Sequence, residues 1–234
     1  MIKLLDAIEI ETGKNPTAAV IWMHGLGADG NDFVPVVNEL ELDGAPAIRF
    51  VFPHAPMRAV TINNGAVMRA WYDVSFGDLE GNSRRPDALG IHESQEQVTA
   101  LVEREKSRGI ASGKIVLAGF SQGGAIALQT GLRHPERLAG VMALSTYLPL
   151  ADSLPLEAAP ANKATPVFMA HGLFDPLLPL VMGTGSMTYL TGLGYSVEWH
   201  QYPMQHSVCA EEIQDIGAWL RRVLRQQDAG KGEG

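Results

Sequence analysis

The run Gly119-Phe120-Ser121-Gln122-Gly123 reads G-x-S-x-G, with an apolar, β-branched stretch before it (114–118) and good helix formers after it (124–129). Strand, sharp turn and helix are the setting in which this pattern works as a nucleophile elbow. Its glycines permit a turn in which a Cβ would clash, and the turn lifts the Ser121 hydroxyl clear of the sheet. A serine hydroxyl is a weak nucleophile by itself. It needs a base to take its proton and an acid to orient that base. An elbow of this kind precedes its acid and its base in chain order, and the sequence offers both downstream.

The acid is sought at the carboxyl end of a strand, on the same rim as the elbow. Asp175 meets this condition in His171-Gly172-Leu173-Phe174-Asp175, just past the apolar run 166–170. Asp152 lies before that strand, and Asp215 falls inside the last helix on a face expected to be solvated. Asp-Pro also starts turns, so Asp175 reads as triad acid or as turn residue. Of seven histidines, only His206 follows the acid, in a loop and on the same rim. His24 and His171 sit at strand ends beside glycines and read as turn-shaping. His54 precedes a hairpin, His92 and His134 lie in or near helices, and His200 is inside a strand. A tetrahedral intermediate needs donors for its oxyanion. The N–H of Gln122, opening the elbow helix, and that of Leu26, in His24-Gly25-Leu26-Gly27, are the candidates.

These residues require a scaffold of alternating strands and helices. Apolar runs at 18–23, 47–52, 114–118, 138–144 and 166–170 read as strands, and 196–202 alternates like one. Helices are predicted over 32–40, over 88–108 with Leu89, Val98, Leu101 and Val102 at helical spacing, in the elbow helix, over 185–193 and as an amphipathic closing helix over 208–224. Val60-Thr61-Ile62 and Ala66-Val67-Met68 flank Asn63-Asn64-Gly65, a hairpin signal. Segment 76–86 reads as a surface loop and 147–163 as a loop or lid-like excursion. The fold class is α/β: one mostly parallel sheet with helices on both faces. The expected division is a single domain over 1–226 and a frayed tail over 227–234.

Composition narrows the function. The chain has 234 residues, 46% of them hydrophobic, with a formal net charge of −8. That balance argues against a nucleic-acid or anionic-membrane binder. With one cysteine, Cys209, no intramolecular disulfide is possible; it opens a helix with no elbow around it and reads as a buried or inert thiol rather than a nucleophile. No signal-peptide pattern and no run of about 18 apolar residues is evident, so a cytoplasmic protein without integral membrane association is expected. The histidines lack metal-ligand spacing, so no metal is expected. Gly183-Thr184-Gly185 lacks the strand and downstream acid of a dinucleotide fingerprint, so no cofactor is expected either.

The chain resembles the phospholipase/carboxylesterase family of α/β-hydrolases, which includes acyl-protein thioesterases and small bacterial carboxylesterases. The resemblance rests on His24-Gly25-Leu26-Gly27 with Asp29, Pro53-His54-Ala55-Pro56, Thr61-Ile62-Asn63 through Met68, Trp71-Tyr72-Asp73, Gly119 to Gly124, His171-Gly172 with Asp175, and His206. It implies an α/β-hydrolase core without a large cap domain, hydrolysis of carboxylic or thio esters, and a Ser121–Asp175–His206 triad with Leu26 and Gln122 as oxyanion donors. Three departures, Ala59 after Arg58, Tyr72 inside Trp71-Tyr72-Asp73, and Pro176-Leu177-Leu178-Pro179 after the acid, bear on the acyl groove.

The reading is a serine carboxylic-ester hydrolase that forms an acyl-enzyme on short- to medium-chain esters, its partner a small-molecule ester. The alternatives are an acyl-protein thioesterase or lysophospholipase, acting on an acylated protein or a lysophospholipid, and a ligand-sensing protein with a retained triad. Trp71 and Tyr72 are candidates for the substrate groove or for packing. Leu148, Leu150, Leu154 and Leu156 are candidates for its wall or for the core.

Overall fold

A computed structural model describes residues 4–75, 77 and 87–225. The expected frayed tail, and all but Gly77 of the expected loop over 76–86, lie outside the described residues. Among the described residues nine strands form: β1 (Ala7–Glu11), β2 (Ala18–Met23), β3 (Ile48–Pro53), β4 (Met57–Val60), β5 (Ala66–Arg69), β6 (Ile115–Phe120), β7 (Gly140–Leu144), β8 (Val167–Gly172) and β9 (Val197–Tyr202). Seven of them make one sheet in the order β1-β3-β2-β6-β7-β8-β9. Only β1 runs antiparallel to its neighbour; the pairs from β3 to β9 are parallel. β4 and β5 pair as a separate hairpin, turned by Asn64 (φ 56°) and Gly65 (φ 77°).

The central strands are buried along their whole length, as expected for a parallel sheet covered on both sides. Alternate side chains feed two cores. Ile21, Leu117, Val141 and Met169 pack with the helices α1 (Ala88–Ser107), α2 (Gln122–Arg133), α3 (Leu154–Glu157) and α4 (Leu180–Gly192). Val20, Phe50, Val116, Met142 and Phe168 pack with α5 (Ala210–Arg225) and with the Phe33–Leu40 segment. The architecture is the expected one of a mostly parallel sheet between two helical layers.

Four local expectations change. β1 is an additional edge strand, in which Ile8 and Ile10 alternate with Glu9 and Glu11. The helix expected over 32–40 reduces to turns and a 3-10 segment, Pro35–Asn38. Pro35 removes one N–H, and so short a stretch rich in valine cannot offset helix nucleation. α4 begins at Leu180 rather than Gly185. Gly183 lies inside this helix, and a Cβ there would lie 2.5 Å from His171 Nδ1, so close packing rather than a helix end accounts for the glycine. In α1, Leu89 points outward and Ile91 takes the core position.

The 147–163 excursion is packed against the body. Arg133 of α2 donates to Glu157 (2.6 Å), the Ser153 hydroxyl (3.1 Å) and the Leu150 carbonyl (3.2 Å). Leu148 and Leu154 are buried in the core, while Leu156 is 92% exposed.

The elbow is held where β6, α2 and the end of β2 cross. A Cβ on Gly119 would stand 2.2 Å from the Gly123 carbonyl, and one on Gly123 would stand 2.3 Å from the Met23 oxygen. Both obstacles are backbone and cannot rotate away. Gly123→Ala is therefore expected to cost at least about 1–3 kcal/mol, the usual range for overpacking, read as a lower urea midpoint at unchanged m-value. An unchanged midpoint would show that the crossing has slack.

Candidate active site

Ser121 is partly accessible at the end of β6, with φ 54° and ψ −122°. Such a backbone costs a non-glycine residue about 1–3 kcal/mol and persists only where neighbours over-determine it. The neighbours are present. Ser121 N–H donates to the Leu144 carbonyl (2.8 Å), and the Ser121 carbonyl accepts from Thr146 Oγ1 (2.7 Å) and Ala125 N–H (3.1 Å).

Asp175 follows β8 and His206 follows β9, and the structure joins them: His206 Nδ1 lies 2.7 Å from Asp175 Oδ2. The carboxylate accepts, so the imidazole proton sits on Nδ1 and leaves Nε2 a free lone pair. Asp175 Oδ1 accepts from the N–H groups of Leu177 and Leu178, both 2.9 Å. The two sequence readings of Asp175 are therefore compatible: one oxygen makes the turn, the other meets the histidine. The His206 loop reaches back over the end of β8 because Gly172 has no side chain. A Cβ there would lie 2.3 Å from the Gln205 oxygen. Phe174 N–H donates to Met204 O (3.0 Å) and Leu173 N–H to Tyr202 O (2.9 Å), tying the two loops together. The Phe120 ring packs against His206 at 4.7 Å between centroids.

Ser121 and His206 open into one cleft of about 320 Å³, lined also by Leu26, Gln122, Tyr72 and Tyr147. The Gln122 N–H is the first of α2, where the helix itself supplies no acceptor. The Leu26 N–H makes no hydrogen bond among the described residues. A Cβ on Gly25 would come within 3.5 Å of Ser121 Cβ, so the glycine loop lies directly against the elbow. Gly27 (φ 78°) donates to the Arg69 carbonyl (2.9 Å), and Gly30 N–H donates to His54 Nδ1 (3.1 Å).

Two histidines outside the cleft shape its loops. Ala55 N–H donates to His24 Nε2 (3.1 Å), so the His24 proton is on Nδ1 and goes to the Gly25 carbonyl (2.7 Å). His171 Nε2 donates to the Leu178 carbonyl (2.8 Å) and stands 3.5 Å from Asp175 Oδ2. Burial is the main cause that lowers the pKa of each ring.

Other candidates fall elsewhere. Trp71 does not line the groove. It is fully buried, with its indole N–H donating 2.9 Å to the His24 carbonyl, because a ring of that size is retained under the loop rather than in the opening. Tyr72 does line the cleft, and its hydroxyl meets that of Tyr147 at 2.9 Å. Leu148, Leu150, Leu154 and Leu156 are absent from the lining; the excursion contributes Tyr147 instead. His200 stacks on Phe168 and Tyr202, whose hydroxyl donates to Asp215 (2.7 Å), on the opposite core. Asp152 is exposed in a 3-10 turn. Burial pushes the Cys209 thiol up, away from thiolate chemistry. Asp32 was not anticipated in the lining; it sits in the loop after β2, on the rim where parallel sheets bind ligands. Burial first, then Asp29, raises its carboxyl pKa. Among the described residues, no three His, Cys, Asp or Glu side chains are grouped to hold a metal ion, and no helix is long and apolar enough to cross a membrane.

A strained serine, a histidine–carboxylate pair and two backbone N–H groups with no acceptor among the described residues thus meet at one cleft. The phospholipase/carboxylesterase family profile matches residues 5–224. The chain belongs to that family. It is 39% identical to acyl-protein thioesterase 1 of Gibberella zeae over 214 residues, 89% of this chain and 91% of that protein. SOBER1 of Arabidopsis thaliana superposes with a TM-score of 0.81 at 29% identity, covering 89% of this chain and 99% of that one. Acyl-protein thioesterase 2 of Zea mays gives a TM-score of 0.79 at 25% identity, covering 94% of this chain and 100% of that one. The fold is that of the α/β-hydrolases, and the chain is an enzyme of the serine esterase type.

The neutral, buried His171 has a pH signature. Its folded pKa lies below the ordinary 6.5, so its contribution to stability is complete above about pH 6.5 and is lost as pH falls, when only the unfolded chain takes up the proton. Gln in its place keeps a donor for the Leu178 carbonyl but does not titrate. Between pH 7 and 5, wild-type stability should fall relative to His171→Gln, by up to about 1.4 kcal/mol per pH unit. Urea unfolding of both proteins checks this; parallel pH profiles would refute it.

Proposed function

We propose that this enzyme hydrolyses thioesters of acylated proteins through an acyl-enzyme on Ser121. The observation that carries the reading is the 2.7 Å Asp175–His206 hydrogen bond at a cleft that His206 shares with the strained Ser121. In the first half-reaction Ser121 Oγ attacks the acyl carbon while its proton passes to His206 Nε2. The carbonyl oxygen becomes an oxyanion and takes hydrogen bonds from Leu26 and Gln122 N–H. Collapse breaks the acyl–sulfur bond, and His206 returns the proton to the departing sulfur. Water then attacks the acyl-enzyme by the same route and releases the carboxylic acid and Ser121. Asp175 keeps the imidazole proton on Nδ1 and stabilises the imidazolium.

The protein thioester is favoured as substrate by the relatives named acyl-protein thioesterase 1. The largely apolar cleft fits a fatty acyl chain, since Leu26, Ile62, Val74, Phe120 and Leu178 line it. Small soluble esters are the second reading, supported by the family's carboxylesterase members. Each methylene buried in the cleft adds roughly 0.8 kcal/mol, about fourfold in binding. For a protein thioesterase, kcat/KM should peak on a palmitoylated cysteine peptide and be weak on acetyl and butyryl esters. An optimum at butyryl or hexanoyl esters, with little activity on the peptide, would select the small-ester reading.

The triad has its own test. Ser121→Ala should abolish labelling by a fluorophosphonate and lower turnover by several orders of magnitude. Asp175→Asn should cost on the order of 10⁴-fold in kcat. Its retained carbonyl can still accept the two turn N–H groups, while its amide forces the wrong imidazole tautomer. His206→Ala should be comparably damaging and His200→Ala should not. Near-normal turnover in Ser121→Ala would remove the nucleophile assignment.

A further inference from the structure

The two oxyanion donors belong to different loops, Leu26 after β2 and Gln122 after β6, and something must fix their separation. One buried residue touches both supports, one with its side chain and the other with its backbone. The Trp71 indole N–H donates to the His24 carbonyl (2.9 Å), two residues before Leu26. The Trp71 backbone N–H donates to Gln122 Oε1 (2.8 Å), and Gln122 Nε2 donates to the next carbonyl, that of Tyr72 (2.7 Å). Gln122 thus offers its main-chain N–H to the cleft and uses its side-chain amide to hold the Trp71 N–H and the Tyr72 carbonyl. The strut is fastened from behind, where the Ser94 hydroxyl of α1 donates to the Trp71 carbonyl. Trp71, Ser94 and Gln122 are all buried, so these hydrogen bonds have no competing water, and losing one leaves an unsatisfied buried group.

The His24 end is equally defined. Its ring, 5.5 Å from the Trp71 ring, is anchored through Ala55 N–H and the Gly25 carbonyl. From Leu26 to Gln122 the path runs through the His24 carbonyl, the indole, the Trp71 N–H and the Gln122 amide, with no exposed side chain on it.

We propose that Trp71 is a positioning residue that sets the spacing of the two oxyanion donors, acting on the transition state without touching the substrate. The inference rests on the acyl-enzyme reading above. Donors at an oxyanion hole are effective only when aimed at the place where charge develops, and misplacement by about 1 Å can cost on the order of 10²-fold.

The test is Trp71→Phe, which keeps a large ring but removes the indole donor. With a palmitoyl-peptide thioester and a short-chain ester, kcat should fall about 10- to 100-fold with KM nearly unchanged. The affinity for an acyl trifluoromethyl ketone, which forms a tetrahedral adduct on the serine, should fall by the same factor as kcat/KM. The chain-length preference should not move. A folded variant with kcat within about threefold of wild type, or one whose KM and chain-length preference change together, would overturn the proposal. Ser94→Ala, which unfastens the strut without removing a ring, should show the same pattern to a smaller degree. If Trp71→Phe does not fold, Ser94→Ala decides: lowered kcat at constant KM supports the strut, and unchanged kcat overturns it. A wild-type protein that neither labels nor turns over would instead overturn the acyl-enzyme reading, and the strut with it. An active wild type with an unaffected variant overturns the strut alone.

Discussion

The site depends on a backbone crossing with no room for side chains. The first turn of α2 passes so close to the end of β2 that a Cβ on Gly123 would meet the Met23 and His24 carbonyls, and one on Gly119 would meet Gly123 itself. Two loops leave that crossing, one carrying Ser121 and the other Leu26. Their mutual position is therefore set by main-chain packing rather than by adjustable side chains. The positive φ of Ser121 is the local consequence, since no gentler turn connects a strand and a helix lying this close. The strain is offset by hydrogen bonds to Leu144 and Thr146, both at or just past the end of β7, so the neighbouring strand also takes part in holding the serine up.

The sheet supplies the longer-range order. β2, β6, β7, β8 and β9 are parallel neighbours, so the loops at their carboxyl ends share one rim. Adjacent strands are about 4.8 Å apart, which leaves β9 well to one side of β6. His206 must therefore return across β8 to reach the cleft, and Gly172 is what lets it do so. Asp175 lies under the same return path, which is why its two oxygens can be divided between the turn and the imidazole. The arrangement is directional: the turn fixes the carboxylate, the carboxylate fixes the ring, and the ring presents Nε2 to the cleft.

Much of this was legible because it is local. G-x-S-x-G between a strand and a helix, an acid after one strand and a histidine after the next each announce themselves within about ten residues. What was missed has partners far along the chain. His24 and Trp71 are 47 residues apart, and Trp71 and Gln122 are 51 apart, so nothing near Trp71 distinguishes an aromatic wall from a buried support. The cleft lining failed for the same reason: Leu148 and Leu154 of the excursion turn into the core, Leu156 faces outward, and Tyr147, just past β7, reaches the opening instead. β1 did carry a signal, the alternation of Ile8 and Ile10 with Glu9 and Glu11. Its charges face Arg49 of β3 and Arg108 at the end of α1, giving an edge strand a polar outer row that reads as loop when only apolar runs are counted.

Burial explains how the same residue type serves opposite purposes here. His24 and His171 are enclosed and held neutral, each with one ring nitrogen on a loop carbonyl. Such a ring keeps a fixed tautomer and acts as a rigid bracket. His206 has the same ring but opens onto the cleft beside a carboxylate. Proximity to an acid does not separate them: His171 also stands near Asp175, but its Nε2 is committed to the Leu178 carbonyl. Asp175 stands between the two kinds, 2.7 Å from His206 and 3.5 Å from His171. What sets His206 apart is that its ring lines the cleft, whereas those of His24 and His171 do not.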